Sequence, residues 1–186
     1  TKFKTLIDGI RKRGECIDLL CFSHIDNDHV KGAELTFCEG TFETSHIKQI
    51  WLNLSASAMP LVTVDQLPAH QFITVESAYK LIHSIRARKI PCATKVIEGD
   101  HVTLGDIPIT VILPTSDRLD AYYRKFDQDL EHLREKKPHL FIGRSRTDTS
   151  SINGSSITLM IDLPDGKVIF SGDAFASDLT AAVTKY

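Results

Sequence analysis

Short apolar runs along this chain end abruptly at polar, turn-forming residues. Residues 17–22 form such a run, which is too short for a core helix and is typical of a buried strand. Residues 163–166, Leu-Pro-Asp-Gly, predict a tight hairpin turn, because Pro presets the turn and Gly accepts a positive φ. The same reasoning predicts strands at residues 17–22, 47–54, 94–97, 101–104, 107–113, 157–162 and 167–171.

Two longer segments carry apolar residues at helical spacing. Residues 74–89 form one predicted helix, with Thr74 as its N-cap. Residues 117–135 form a charged helix, whose apolar stripe predicts a face docked against the body of the protein. Residues 143–156 are polar and predict a loop, and the residues after Ala174 predict a final helix. The stripe of the charged helix consists of Leu119, Tyr122, Tyr123, Phe126, Leu130 and Leu133.

The order of these elements is strands, a helix, strands, a helix and a hairpin. It predicts an α/β layout of the α+β type, in which peripheral helices cover the sheets. No stretch of linker composition divides the chain. We therefore expect a single domain over residues 1–186, with residues 117–135 as a helical insertion.

Composition excludes several classes of protein. The chain has 186 residues, of which 42% are apolar and 25% charged, as in an ordinary globular domain. Its 22 Lys and Arg against 24 Asp and Glu give a net charge of −2, so it is not a generally basic nucleic-acid coat. No apolar run approaches the roughly 18–20 residues of a membrane span, so no membrane contact is expected from this segment. The four cysteines form no C-x-x-C pair, and a reducing cytoplasm is the expected compartment.

Four candidate metal ligands follow the first predicted strand within six residues: His24, Asp26, Asp28 and His29. In an extended segment, side chains at i, i+2 and i+4 point to the same side, so His24, Asp26 and Asp28 are expected to converge. His29 joins them if the chain turns into a helix there. A site projected from the end of a strand is preorganised by the rigid sheet. Because the carboxylates would repel one another without a cation, the cluster predicts a bound metal.

Residues 23–32, Ser-His-Ile-Asp-Asn-Asp-His-Val-Lys-Gly, resemble the signature loop of the metallo-β-lactamase superfamily. The usual form of that loop is T/S-H-x-H-x-D-H-x-G-G, and here Asp26 replaces the second histidine. Residues 153–157 and 170–174 resemble the second half of that fold. They are closest to the branch of DNA-uptake (competence) proteins and related bacterial hydrolases. Asp8, in the run Leu-Ile-Asp-Gly, is similar to the superfamily's early I-D-G-G motif.

The resemblance implies an αββα sandwich of metallo-β-lactamase type with one or two divalent metal ions as cofactors. Carried over position by position, His24 and Asp26 would ligate a first metal. Asp28 and His29 would ligate a second, and Asp173 would bridge the two. Asp26 brings a hard oxygen donor where a histidine is usual, which weakens the preference for zinc and admits manganese or iron.

The chain departs from the superfamily's pattern at two places. No histidine follows Asp173, where a further ligand is usual, and Asn153 or Ser155 stands where other members have a histidine. Asn153 and Ser155 could offer a weak oxygen ligand, bind a substrate phosphate, or belong to a simple turn. Arg144 and Arg146 precede them, and these are the basic residues that we expect near a phosphate-bearing substrate.

Together these features predict a metal-dependent hydrolase that cleaves a phosphodiester in a nucleic acid or nucleotide. Asp28 is the candidate catalytic residue, since it can ligate a metal, orient a water and accept its proton. One alternative is a catalytically degenerate scaffold or regulatory subunit with a partner protein, for example in a bacterial defence complex. The lack of a histidine after Asp173 favours that alternative. Another is hydrolysis of a thioester or other acyl substrate at the same site.

The length of the chain is small for this resemblance. The superfamily fold usually has further strands before the position of Asp8, and a last strand with a histidine beyond the position of Tyr186. The resemblance therefore predicts that these residues are a portion of a larger sandwich, truncated at both ends.

Overall fold

The computed structural model describes residues 1–58, 74–134 and 150–186, without the side chains of residues 132–134. Its helices are α1 (Lys2–Lys12), α2 (Asn27–Phe37), α3 (Thr74–Ala87), α4 (Ser116–Arg134), α5 (Ser151–Gly154) and α6 (Ala176–Lys185). Its strands are β1 (Leu20–Phe22), β2 (Ile50–Leu52), β3 (Cys92–Ala93), β4 (His101–Leu104), β5 (Ile107–Leu113), β6 (Thr158–Leu163) and β7 (Gly166–Phe170). The predicted mixed α/β class is confirmed.

The strands form two sheets of different kinds. The first is parallel with the order β1-β2-β3, and α2 and α3 provide the crossover connections that parallel neighbours need. The second is antiparallel with the order β4-β5-β6-β7. Leu163 lies opposite Gly166 where β6 meets β7, so the hairpin predicted at residues 163–166 is confirmed.

Alternate side chains of the strands belong to different hydrophobic layers. In β2, Ile50 packs into a core shared with α2, α3 and α4, whereas Trp51 packs with Val111 of β5 between the two sheets. On the far face of the antiparallel sheet, Met160 of β6 packs with Ala182 of α6. The layers therefore run from helices through the parallel sheet and the antiparallel sheet to α6.

The two predicted helices lie where their apolar spacing places them. α4 buries Leu119, Tyr122, Phe126 and Leu130, which confirms the predicted docked face as far as its side chains are described. The final helix predicted after Ala174 is also present, as α6. Within the three described ranges, no helix is long and apolar enough to cross a bilayer.

The strand predicted at residues 94–97 is wrong, because the third parallel strand is Cys92–Ala93. The buried side chain of Asn53 accepts a hydrogen bond from Val96 N at 2.6 Å and donates one to Val96 O at 2.8 Å. At Val96 the backbone is thus bonded to a side chain. Thr94 O still accepts a hydrogen bond from Leu54 N at 3.0 Å, so the backbone contact with the chain after β2 ends there.

The loop predicted at residues 143–156 is also wrong in its last part, where residues 151–154 form α5. Ser150 is the N-cap of this helix, and its Oγ accepts a hydrogen bond from Ile152 N at 3.2 Å. Residues 143–149 lie outside the described ranges.

At the start of the chain, α1 is not among the predicted elements. It places Asp8 on a helix, where the carboxylate lies 3.9 Å from Arg11. This ion pair does not connect Asp8 to the predicted metal ligands, so the match of Asp8 to the superfamily's early motif stays a prediction. The first two strands are shorter than predicted. Ile17 and Ile47 form only an isolated bridge, and continuous pairing of β1 with β2 begins at Leu20 and Ile50.

Candidate metal centre

The turn between β1 and α2 carries four of the predicted ligands. Asp26 is the N-cap of α2 and makes no capping hydrogen bond with its side chain. The extended geometry expected for His24, Asp26 and Asp28 therefore ends at Asp26. Asp28 lies in the first helical turn, and its side chain is 82% exposed. The expectation that Asp28 continues the extended segment is therefore wrong. The start of the helix instead brings the ring centre of His29 to 4.0 Å from that of His24.

Asp173 reaches the same place from the antiparallel sheet. Ile157 N donates a hydrogen bond to Ser23 O at 2.8 Å, which joins the segment before β6 to the end of β1. Gly172 has a φ of +54°, and a Cβ there would lie 2.7 Å from the Cβ of Ser23. Only glycine fits this close approach, which sets Asp173 against the β1–α2 turn.

The five predicted ligands form one chain of contacts. Asp173 Oδ2 lies 3.9 Å from His24 Nε2, and Asp173 Oδ1 lies 3.6 Å from His29 Nε2. Asp26 Oδ2 lies 3.8 Å from the same nitrogen of His24, and Asp28 Oδ2 lies 3.9 Å from that of His29. One ligand atom each from His24, His29 and Asp173 lies within 4.8 Å of the other two. Asp173 therefore stands between two histidine–aspartate pairs.

The side chain of His24 is fully buried. Burial, and then the proximity of His29, lowers the pKa of His24 from 6.5 to about 4, so its ring is neutral at neutral pH. Its Nε2 is buried and has no hydrogen-bond partner in the described part of the chain. Buried polar atoms without a partner are uncommon, and a neutral imidazole nitrogen is a good metal ligand. This nitrogen is thus available to a cation.

Asp26 reflects the crowding of carboxylates in the cluster. Burial raises the pKa of Asp26, and the nearby charge of Asp28 raises it further. Thr74 opposes the shift, because its Oγ1 donates a hydrogen bond to Asp26 Oδ1 at 3.4 Å. A divalent cation at this position would relieve the repulsion between the carboxylates.

The donor set fits a divalent transition metal. Two ligand atoms that each lie about 2.1 Å from one tetrahedral ion are about 3.4 Å apart. The four histidine–aspartate separations are 3.6 to 3.9 Å, a difference that small side-chain rotations can close. Imidazole nitrogens combined with carboxylate oxygens suit zinc, manganese and iron alike.

The predicted substrate-binding residues lie at different places. Asn153 belongs to α5, and its Oδ1 is buried without a hydrogen-bond partner in the described ranges. Ser155 is also buried, but its hydroxyl donates to Ile152 O at 2.6 Å and is therefore engaged at the end of α5. Arg144 and Arg146 lie outside the described residues.

Three hydroxyls lie at the site to which the sequence analysis assigned no contact there, namely those of Ser23, Thr74 and Ser156. Thr74 was predicted as an N-cap, but it is the first residue of α3. Ser156 shows why such residues are hard to predict from sequence. Ser155 and Ser156 are adjacent, but of the two only Ser156 contacts His24, with its Oγ 3.3 Å from Nδ1. The signal that could have found it is its place immediately before a predicted strand. The sequence alone does not tell which serine faces the cluster, because α5 determines that.

No model of a known protein family matches this chain, and no curated protein is significantly similar to it. The assignment of a function accordingly depends on the geometry of His24, His29 and Asp173 and on the motifs that contain them.

Proposed function

We propose that this protein is a metal-dependent hydrolase of the metallo-β-lactamase type. The observation that carries the proposal is the cluster of His24, His29 and Asp173, whose ligand atoms lie within 4.8 Å of one another. The buried, unpartnered Nε2 of His24 supports a cation at this cluster. The order of layers, with two stacked sheets between helices, supports the αββα sandwich.

Two ions are favoured over one because each histidine has a carboxylate of its own. Asp26 lies beside His24, Asp28 lies beside His29, and Asp173 contacts both histidines at 3.6 to 3.9 Å. Divalent cations supply Lewis acidity and lower the pKa of a coordinated water. His24, His29 and the three aspartates are the residues that would hold such cations.

Asp28 is the proposed catalytic residue. Its side chain is 82% exposed, so a substrate and its attacking water can reach it from solvent. It lies in the first turn of α2, next to His29. A carboxylate in that position can orient the water and accept its proton. His24, by contrast, is fully buried and serves only as a ligand.

The proposed substrate is a phosphodiester in a nucleic acid or nucleotide. This choice rests on the resemblance of residues 23–32 and 170–174 to the competence-type branch. Arg144 and Arg146 would bind its phosphate, since guanidinium groups match phosphate geometry. Hydrolysis of an acyl substrate would use the same ligands, and a substrate panel separates the two.

The first measurement is metal content together with activity. Protein stripped with a chelator is reloaded with Zn²⁺ or Mn²⁺, and the bound metal per chain is determined by mass spectrometry. Each form is assayed on single-stranded DNA, duplex DNA, RNA, cyclic nucleotides and a thioester. We expect one or two ions per chain and chelator-sensitive cleavage of a phosphodiester. Protein that binds no metal and cleaves nothing would favour the regulatory-subunit alternative.

The second measurement tests the role of Asp28. Asp28→Ala is expected to abolish cleavage while its circular dichroism remains that of the wild type. Asp117→Ala is the matched control, because Asp117 is an exposed aspartate in the first turn of α4. Cleavage by Asp28→Ala at the wild-type rate would exclude this mechanism.

A further inference from the structure

Two serine hydroxyls contact the histidine cluster on the Nδ1 side of the rings. The first is that of Ser23, the residue after β1. Its Oγ lies 3.1 Å from His24 Nδ1 and 3.2 Å from His29 Nδ1. A single hydroxyl therefore reaches both histidines, at the ring nitrogens that do not face Asp173.

The second hydroxyl belongs to Ser156, which is fully buried and lies two residues before the start of β6. Its Oγ lies 3.3 Å from His24 Nδ1 and accepts a hydrogen bond from the backbone N of Asp173 at 3.3 Å. Ser156 thus connects a ligand from the β1–α2 turn to a ligand that follows β7. Through the two hydroxyls, His24, His29 and Asp173 belong to one hydrogen-bonded unit.

Close packing at Gly172 holds the two serines in place. A Cβ at this position would lie 2.7 Å from the Cβ of Ser23 and 3.3 Å from that of Ser156. The glycine lets the backbone before Asp173 lie against both serines. Their hydroxyls are thereby set at a fixed distance from the histidine rings.

The available hydrogen-bond partners indicate which nitrogen carries the proton in the ring of His24. A neutral imidazole has one N–H, on Nδ1 or on Nε2. A proton on His24 Nε2 would be buried, and its nearest carboxylate acceptors, Asp26 and Asp173, lie 3.8 and 3.9 Å away, beyond hydrogen-bond distance. A proton on Nδ1 has the closer oxygens of Ser23 and Ser156 as acceptors. A serine oxygen has two lone pairs, so Ser23 can accept from both His24 and His29.

We propose that Ser23 and Ser156 are positioning residues that keep His24 and His29 protonated on Nδ1, so that both Nε2 lone pairs face Asp173 and a cation. The inference rests on the metal centre proposed above and extends it to residues that are not ligands. Hydrogen bonds to the second nitrogen of a metal-binding histidine orient the ring, and their loss typically weakens metal binding by about 10- to 100-fold.

The first readout is the position of the proton in metal-free protein. Imidazole ¹H–¹⁵N correlation spectra at neutral pH distinguish a ring protonated on Nδ1 from one protonated on Nε2. We expect Nδ1–H for His24 and His29 in the wild type. In Ser23→Ala we expect His29 to shift toward Nε2–H.

The second readout is Zn²⁺ affinity, measured by competition with a chromogenic chelator. Ser23→Ala and Ser156→Ala are each expected to bind Zn²⁺ about 10- to 100-fold more weakly than the wild type. Ser177→Ala, which removes an exposed serine hydroxyl in α6, is the control and should bind as the wild type does.

The outcomes separate this inference from the proposed function. Wild-type protein that binds no Zn²⁺ would overturn the metal centre, and the spectra would still test the assignment of the protons. If the wild type binds Zn²⁺, unchanged affinity or unchanged spectra in Ser23→Ala would overturn the positioning role. Ser23 is only partly buried, so its variant decides the question even if Ser156→Ala does not fold.

Discussion

The interface between α2 and α3 and the turn between β1 and α2 both hold carboxylates inside the fold, but they balance the charge differently. At the interface, Glu34 and Glu76 are 4% and 5% exposed. Lys31 lies 2.5 Å from Glu34, and Lys80 lies 2.5 Å from Glu76, so each carboxylate has a cationic partner from the same chain. The charge of each pair is therefore balanced within the chain, although Oε2 of both glutamates is buried without a hydrogen-bond partner in the described ranges.

At the β1–α2 turn, the carboxylates face histidines instead. Asp26 and Asp173 lie 3.8 and 3.9 Å from Nε2 of His24, whose pKa is lowered by burial to about 4. A neutral ring does not balance a carboxylate charge. The difference supports the proposed metal centre, in which a cation from outside the chain would balance the carboxylates of the turn.

The largest expected difference between the two regions is in metal binding. Asp173→Asn is expected to weaken Zn²⁺ binding on the order of 100-fold or more, because a group that reaches both histidines loses its charge. Glu76→Gln, at the interface paired with lysines, is expected to leave Zn²⁺ binding unchanged. Competition titrations measure both affinities. Equal losses in the two variants would show that binding does not depend on the cluster.

Acidification of the metal-free protein should cost roughly 3 kcal/mol through His24. The pKa of His24 is about 4 in the folded protein and 6.5 for an unperturbed histidine, as in the unfolded chain. Each unit of difference between the two pKa values corresponds to about 1.4 kcal/mol. Between these values the unfolded chain binds more protons, so the stability present above pH 6.5 is lost as pH falls through about 4. Urea unfolding of the wild type and His24→Gln, in chelator across this range, measures the effect. The same pH dependence in both proteins would contradict it.

Packing behind the cluster should make one glycine more important than another. Gly172 and Gly105 have φ values of +54° and +62°, and a Cβ at Gly105 would meet no atom within 4 Å. Gly105→Ala is expected to cost about 1 kcal/mol from backbone strain alone. Gly172→Ala is expected to cost about 2–3 kcal/mol, because its Cβ would also overlap Ser23. Urea denaturation compares the two, and equal costs would argue against close packing at the site.

The smallest expected effect is at the interface itself. Glu76→Gln is expected to lower the free energy of unfolding by about 1 kcal/mol, since the amide still accepts a hydrogen bond from Lys80 but carries no charge. Glu39→Gln, at the more exposed pair with Lys4, is the control and should change it by less than about 0.5 kcal/mol. Indistinguishable values in urea would mean that burial gives the interface pair no advantage.

The turn between β1 and α2 could be predicted because its chemistry is local. His24 and His29 follow an apolar run within a few residues, and the start of a helix is enough to bring their rings together. The hairpin that leads to Asp173 was also predictable, from Pro164 and Gly166. Local patterns therefore identified His24 and His29, and the resemblance to the metallo-β-lactamase superfamily added Asp173, which the structure brings to the same cluster.

The remaining features depend on partners that are distant in sequence. Asn53 makes two hydrogen bonds with the backbone of Val96 where a strand was predicted, and no pattern within residues 94–97 reveals them. Ser156 faces His24 because α5 ends just before it, and the polar composition of that segment predicted a loop. The exposure of Asp28 likewise follows from the point at which α2 begins.

His24 and Asp173 meet although they belong to different sheets and lie far apart in the sequence. A contact between residues so far apart in sequence closes a long loop, which slows its formation. A cation that needs both residues would be captured only after the hairpin of β6 and β7 has docked against β1. The bound ion would then link the two sheets and stabilise the folded state. The fraction of molecules with a bound ion would report the fraction in which the sheets have docked.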